Sequence, residues 1–262
     1  MRSSHHGTGG ARAGPDTSWK AGRIEGSGTI LGVRVAGARG KTRLGFAFWC
    51  AAIILRPIMM AFTRRDWSGT GNLHVDSGIV VAANHLSWFD PIVISHVTWD
   101  SGRPPRFLAK DSLFGVPVVG AIMRSTEQIP VLRGTRDASA AAEAAVLAAK
   151  NGECVIVYPE GTITKDPDLW PKAAKTGAAR IALTARVPLV PMAHWGAQRV
   201  MRPYRKELKL LPRKKMHVIV GPPVPLDDLY DAPLDAETLR VATERLMSAI
   251  NELLQQIRKE HP

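Results

Sequence analysis

Residues 78–91 read Gly78-Ile79-Val80-Val81-Ala82-Ala83-Asn84-His85-Leu86-Ser87-Trp88-Phe89-Asp90-Pro91. The apolar run from Ile79 to Ala83 predicts a buried strand, and Asp90-Pro91 predicts a new helix, because proline suits the first helical position. A strand running through a short turn into a helix is the unit from which α/β folds are built. The turn also decides whether His85 and Asp90 meet: on one continuous helix, five residues would leave the two side chains roughly 140° apart. Histidine is the side chain best suited to taking a proton near neutral pH. A carboxylate beside it fixes the tautomer and stabilises the imidazolium that forms. The same residues admit a plainer role, Asp90 as a helix cap and His85 as a loop histidine.

Outward from this stretch the chain alternates short apolar runs with helical patterns. Strand candidates are 78–83, 105–109, 127–132, 153–158, 188–193 and 216–220. Helices are expected at Asp137 to Lys150, which is alanine-rich behind a capping residue, at Lys172 to Arg186, and at Asp235 to Lys259. The last carries Leu239, Val241, Leu246, Ile250, Leu253, Leu254 and Ile257 at helical spacing. Such alternation predicts a single α/β domain, residues 67–262, with a mostly parallel or mixed sheet covered by helices on both faces. The order of the strands cannot be read from periodicity.

A second stretch carries chemistry. Glu153 to Tyr158 reads as a buried strand and runs into Pro159-Glu160-Gly161-Thr162, which places a carboxylate, a flexible backbone and a hydroxyl at a strand end. In open α/β sheets that is where ligands sit. Together, Asn84-His85-x4-Asp90 and Pro159-Glu160-Gly161-Thr162 resemble the blocks of the glycerolipid acyltransferase family, whose best-known members acylate lysophosphatidic acid. Gln128-Ile129-Pro130-Val131-Leu132-Arg133 resembles the family's arginine-bearing block, and Val187-Pro188-Leu189-Val190-Pro191 matches its apolar Val-Pro-x-x-Pro segment. The four blocks stand in the family's order. One departure is visible: relatives commonly carry an arginine directly after Pro-Glu-Gly-Thr, where this chain has Ile163.

The resemblance implies transfer of a fatty acyl group from an acyl-CoA or acyl carrier protein thioester to the free hydroxyl of a lysophospholipid, most simply 1-acyl-glycerol-3-phosphate. His85 is then the base and Asp90 its orienter. Arg133 is the first candidate for the acceptor's phosphate, since arginine binds phosphate bidentately. Lys110 stands where relatives often carry a lysine, with an ordinary exposed lysine as the plainer account. Arg136 and Lys175 are weaker candidates, and Lys165 or Lys172 could compensate for Ile163. Glu160 either braces its turn or hydrogen-bonds substrate. Backbone N–H groups at Glu160-Gly161-Thr162 could face an oxyanion. Trp88, Phe89, Trp99, Leu113, Phe114, Val116, Val118 and Val119 are expected to be either core or the lining of an acyl-chain slot. The chemistry calls for no metal and no cofactor beyond the thioester co-substrate. Acylation of another membrane lipid, such as a glycolipid, and a non-catalytic basic lipid-binding protein are the alternatives.

Composition bears on partners. The 262 residues carry a net charge of +12, from 35 basic and 23 acidic residues, which favours anionic partners. The basic residues crowd the N-terminus, residues 2–43, and residues 199–215. Neither cluster has the aromatic interleaving of a single-strand binder or a helix-turn-helix or zinc-finger pattern, so no nucleic acid is expected. Cys50 and Cys154 each sit in an apolar run with no paired spacing, as buried reduced thiols would. Residues 1–42 are expected to form a disordered basic tail. Residues 43–66 are expected to form a helical membrane-docking segment. The run from Leu44 to Phe62 is apolar but interrupted by Arg56-Pro57, which suits dipping into one leaflet better than spanning. With basic residues on both sides, an anionic membrane surface is the expected partner. Attachment is expected to be peripheral or monotopic, at the cytoplasmic face of the cell membrane.

Overall fold

In the computed structural model, residues 56–131, 137–205 and 207–261 are described. Residues 56–62 form helix α1, and seven strands and six further helices follow. The strands are β1 (Thr63–Ser68), β2 (Ile79–Ala83), β3 (Pro105–Lys110), β4 (Ile129–Val131), β5 (Cys154–Val157), β6 (Leu189–Trp195) and β7 (Lys214–Val220). The helices are α2 (Asp90–Asp100), α3 (Val119–Ser125), α4 (Asp137–Lys150), α5 (Gly177–Ala185), α6 (Ala197–Val200) and α7 (Ala236–Glu260). All seven strands join one sheet in the order β1-β7-β6-β2-β5-β3-β4.

Five neighbouring strands, β6, β2, β5, β3 and β4, run parallel, and β7 pairs antiparallel with β6. The carboxyl ends of the five therefore share one edge, which the amino ends of β7 and β1 join. The sheet is mixed and covered on both faces, as its apolar runs predict. Every residue of β2 is buried, because alternate side chains feed opposite cores. Val80 and Ala82 face a core built with α4, α5 and α7, whereas Ile79, Val81 and Ala83 face one built with α2 and Met59 of α1.

The exceptions to expectation have local causes. Strand β1 was not anticipated: Thr-Arg-Arg-Asp-Trp-Ser offers no apolar run, and only Thr63 is buried. It is held by its parallel ladder with β7, and its charges suit an edge strand. Residues 63–66, expected in the helical membrane segment, thus belong to the sheet instead, while residues 56–62 are helical. Helix α5 begins at Gly177 rather than Lys172. The N–H groups of Lys172 and Lys175 instead donate to the Glu160 carboxylate and the Pro159 carbonyl, at 3.1 and 2.8 Å. Helix α7 starts where its cap lies, the Asp235 carboxylate accepting from Thr238 N–H at 2.9 Å. Residues 1–55, including the tail, most of the membrane segment and Cys50, lie outside the described residues. Cys154 is buried, and burial pushes its thiol pKa up to about 12.

Small residues let α4 approach the sheet. Ala141, Ala145 and Ala149 line its inner face, and a Cβ at Gly78 would collide with the Ala149 carbonyl oxygen. Gly78→Ala is therefore expected to destabilise the fold by about 1–3 kcal/mol, as overpacking against backbone does. Urea denaturation would read this as a lower midpoint at unchanged slope, and an unchanged midpoint would refute the close approach.

Candidate active site

At the carboxyl end of β2 the chain turns at Asn84, which is locked to His194 near the end of β6. Asn84 Nδ2 donates to the His194 carbonyl at 3.1 Å, and His194 N–H donates to Asn84 Oδ1 at 2.9 Å. The His194 ring, through Nε2, lies 2.8 Å from the Asn84 carbonyl, where it donates. These bonds extend the β2–β6 pairing by side chain where the ladder stops. His194 was not singled out from the sequence. Its only signal was a histidine inside the apolar run Pro191-Met192-Ala193-His194-Trp195.

The next residue is His85. Its Nδ1 lies 2.8 Å from Asp90 Oδ2, and the same oxygen accepts N–H bonds from Leu86 at 2.5 Å and Ser87 at 2.8 Å. Asp90 opens α2 and its side chain is wholly buried, whereas the His85 side chain keeps 15% of its surface exposed. That oxygen therefore orients the imidazole and braces the turn before α2; it is not a helix cap, since the cap position is Phe89 and no side chain caps the helix. A carboxylate only accepts, so the bonded Nδ1 carries hydrogen and Nε2 presents its lone pair. The imidazole also stacks on Tyr158, with centroids 4.0 Å apart and planes 16° from parallel. Tyr158 in turn stacks near Phe107. Burial, helped by the Asp90 charge, pushes the Tyr158 phenol pKa well above its ordinary value, and its hydroxyl has no hydrogen-bond partner among the described residues.

Pro159-Glu160-Gly161-Thr162 wraps over this turn from β5. Glu160 is buried, Oε1 accepting from His85 N–H at 3.4 Å and Oε2 from Lys172 N–H at 3.1 Å. Burial raises its pKa above the ordinary glutamate value, while those two N–H groups pull the other way. In this structure Glu160 braces two loops. Thr164 N–H closes the wrap by donating to the His85 carbonyl at 2.9 Å. Gly161 takes φ 68°, and its N–H donates to the Tyr158 carbonyl at 2.9 Å. That N–H is committed to the turn, so among the three backbone donors at Glu160-Gly161-Thr162 this one is already engaged. The Lys175 stem covers Gly161 at 3.4–3.5 Å from where a Cβ would stand, and Thr162 is exposed.

The remaining candidates divide. Lys110 ends β3, exposed at the same sheet edge as His85. Arg133 and Arg136 lie outside the described residues. Lys172 pairs with Asp166 at 3.5 Å. Ile163 is 3% exposed, packed where a guanidinium would be stripped of water. Of the apolar candidates Phe89 is core, Trp99 and Phe114 are partly buried, and Trp88, Leu113, Val116, Val118 and Val119 are exposed. Most of that group is thus neither core nor an enclosed slot.

Among the described residues, Asp66, His217 and His261 form the cluster whose ligand atoms, within 4.8 Å of one another, could share a metal ion. It lies on β1, β7 and the chain's end, and the Lys215 ammonium already sits 2.8 Å from Asp66 Oδ2. That ammonium holds the Asp66 pKa below its usual value, and burial lowers that of His217.

Comparison with known proteins agrees with this geometry. The family model described as Acyltransferase matches residues 64–195. The 1-acyl-sn-glycerol-3-phosphate acyltransferase of Bacillus subtilis (strain 168) is 31% identical over 185 residues, covering 70% of this chain and 84% of that protein. The enzyme of the same name from Streptococcus pneumoniae is 23% identical over 206 residues, covering 74% of this chain and 71% of that one. The crystal structure of the 1-acyl-sn-glycerophosphate acyltransferase PlsC from Thermotoga maritima superposes with a TM-score of 0.55 at 25% identity, over 76% of this chain and 79% of that chain. The chain belongs to the acyltransferase family and is an O-acyltransferase.

The stack under His85 yields a paired expectation. Tyr158→Phe keeps the ring and removes an unpartnered buried hydroxyl, so activity should stay within about twofold and stability should hold or rise by about 1 kcal/mol. Tyr158→Ala removes the stack and should lower kcat by about tenfold through loss of imidazole orientation. Steady-state kinetics and thermal melts read both, and equal kcat in the two variants would show that the ring does not position His85.

Proposed function

We propose that this acyltransferase moves a fatty acyl group from acyl-CoA, or from acyl carrier protein, to the free hydroxyl of 1-acyl-glycerol-3-phosphate, forming phosphatidic acid. The observation that carries the reading is the His85 Nδ1–Asp90 Oδ2 contact of 2.8 Å, which leaves Nε2 as a base at the ligand-binding edge of the sheet. The names of the relatives supply the acceptor. Nε2 takes the proton of the acceptor hydroxyl as its oxygen attacks the thioester carbonyl. Asp90 stabilises the imidazolium so formed. Collapse of the tetrahedral intermediate breaks the C–S bond, and the departing thiolate takes the proton back from Nε2. The free energy comes from the thioester, and this scheme draws on no metal or further cofactor. Lys110, at the end of β3, and Arg133 are the proposed phosphate contacts. The buried Ile163, standing where relatives commonly carry arginine, favours a second reading in which the acceptor is another membrane lipid with no phosphate at that point, such as a glycolipid.

We place the enzyme on the cytoplasmic face of a membrane. Ile58 and Met60 of α1 are 44% and 43% exposed, and the apolar run of residues 44–62 leads into them. No helix among the described residues is long and apolar enough to cross a membrane. Strand β1 begins at the same sheet edge as the site, so α1 arrives at that edge, three strands along from β2. Arg213 fixes that arrival by donating to the Met60 and Thr63 carbonyls at 2.7 and 3.0 Å.

Thiol release on mixing protein, acyl-CoA and lysophosphatidic acid, with the product weighed by mass spectrometry, tests the reaction. A panel of lysolipid acceptors separates the two readings. His85→Ala should lower kcat by about 10²–10⁴-fold with the fold retained, and Asp90→Asn should also be severe. A His85→Ala enzyme keeping a tenth of the wild-type rate would remove the base from the scheme. Removal of residues 1–55 should leave a folded domain with weakened binding to anionic vesicles. Undiminished vesicle binding would place the membrane contact elsewhere.

A further inference from the structure

On the opposite flank of the catalytic turn from Lys110 lies an open groove of about 1280 Å³, between the loop after Pro-Glu-Gly-Thr and the chain joining β6 to β7. Six cations line it, Lys165, Arg199, Arg202, Arg205, Lys209 and Lys214, against a single carboxylate, Asp166. Lys165, Arg202, Arg205 and Lys214 have no ion-pair partner among the described residues. A concentration of unpaired cations in a concave site is an anion receptor, costly in mutual repulsion unless a ligand neutralises it.

The groove is tied to the catalytic turn from both walls. Thr164, on its rim, donates its N–H to the His85 carbonyl. Ser87 Oγ donates to the Met201 carbonyl at 2.6 Å, one residue before Arg202. Tyr204 donates its hydroxyl to the Ile163 carbonyl at 2.5 Å, and its ring is half exposed toward the groove. Both walls of the groove are thus bonded to the turn that carries the base.

We propose that this groove holds the 3′-phosphate and pyrophosphate of a coenzyme A thioester, so that donor and acceptor reach His85 from opposite flanks of β2. The inference rests on the thioester reading of the proposed function and names its donor. Charge and size favour it over the acceptor's head: one phosphate matches two or three cations, whereas the nucleotide of coenzyme A carries three phosphates and a base that can stack on the Tyr204 ring. Lys110, on β3, stands beyond β5 from the arginines on the chain joining β6 to β7, and Lys165, a stand-in for the arginine absent at Ile163 in the sequence reading, is assigned here to the donor instead.

Binding is measured apart from catalysis, by calorimetric titration of adenosine 3′,5′-bisphosphate into the full chain. The wild type should bind it saturably. The double variant Arg202→Ala/Lys214→Ala should bind at least about tenfold more weakly, since each lost charge-assisted bond is worth about that factor. The KM for acyl-CoA should rise by a similar factor, while that for lysophosphatidic acid and that for an S-acyl pantetheine donor, which lacks the nucleotide, stay unchanged. Lys165→Ala serves as a second variant should the double one unfold. Absent bisphosphate binding, or equal binding by wild type and variants, would overturn the proposal. So would a rise confined to the acceptor KM, a loss confined to acyl carrier protein as donor, or a loss of anionic-vesicle binding at unchanged donor KM. Bisphosphate binding without acyl transfer to any acceptor would instead sink the proposed reaction and leave the groove's ligand in place.

Discussion

The carboxylate of Asp90 lies wholly out of water, and a charge so placed persists only where donors surround it. Here three donors converge on one oxygen, two from the backbone of the turn and one from the imidazole. The backbone pair fixes the path from β2 into α2, and the imidazole bond fixes the tautomer of His85. Folding and reactivity are thus coupled at one atom. Removing it would leave buried N–H groups unpaired, which costs about 1–3 kcal/mol for each. Asp90 Oδ1 accepts no hydrogen bond from the described residues, so the converging donors all fall on Oδ2.

Around that oxygen the turn is held from three sides. Asn84 and His194 zip it to β6, Glu160 and Thr164 clasp it from the β5 loop, and Tyr158 supplies a flat surface under the ring. None of these groups need touch a substrate. Their effect is to stop the imidazole from rotating, so that Nε2 keeps one direction, the condition under which proximity lowers a barrier. The arrangement also explains why Glu160 sits in a buried position that raises its pKa: its two backbone partners come from separate loops, and no shorter side chain would bridge them.

Much of the fold was legible because its physical cause is local. Runs such as Ile79–Ala83 and Cys154–Val157 are apolar throughout because parallel strands are covered on both faces, and α4 and α7 announce themselves by small-residue and apolar spacing. Strand β1 was illegible for the converse reason. An edge strand with polar side chains leaves no apolar signature, and its ladder with β7 joins residues 151 apart, as Asp66 and His217 show. The late start of α5 was hidden too, since the N–H groups of Lys172 and Lys175 are withheld from the helix by the loop they bind.

The sequence by itself determined the family, the succession of β2 to β7 with α2, α4, α5 and α7, and the candidate pair His85 and Asp90, because each is written in contiguous residues or fixed short spacings. Only the tertiary structure decided which strands are neighbours, that His194 locks Asn84 across 110 residues, that Glu160 faces backbone donors, and that Gly161 N–H is already spent on its own turn. It also decided that the basic residues of 199–215 line a groove with Lys165, where charge counting saw only a cationic run. Periodicity reports which face of an element is buried, but not what lies on the other side of the contact. That partner is set by long-range packing, whose free energy depends on the whole sheet rather than on any single stretch of chain.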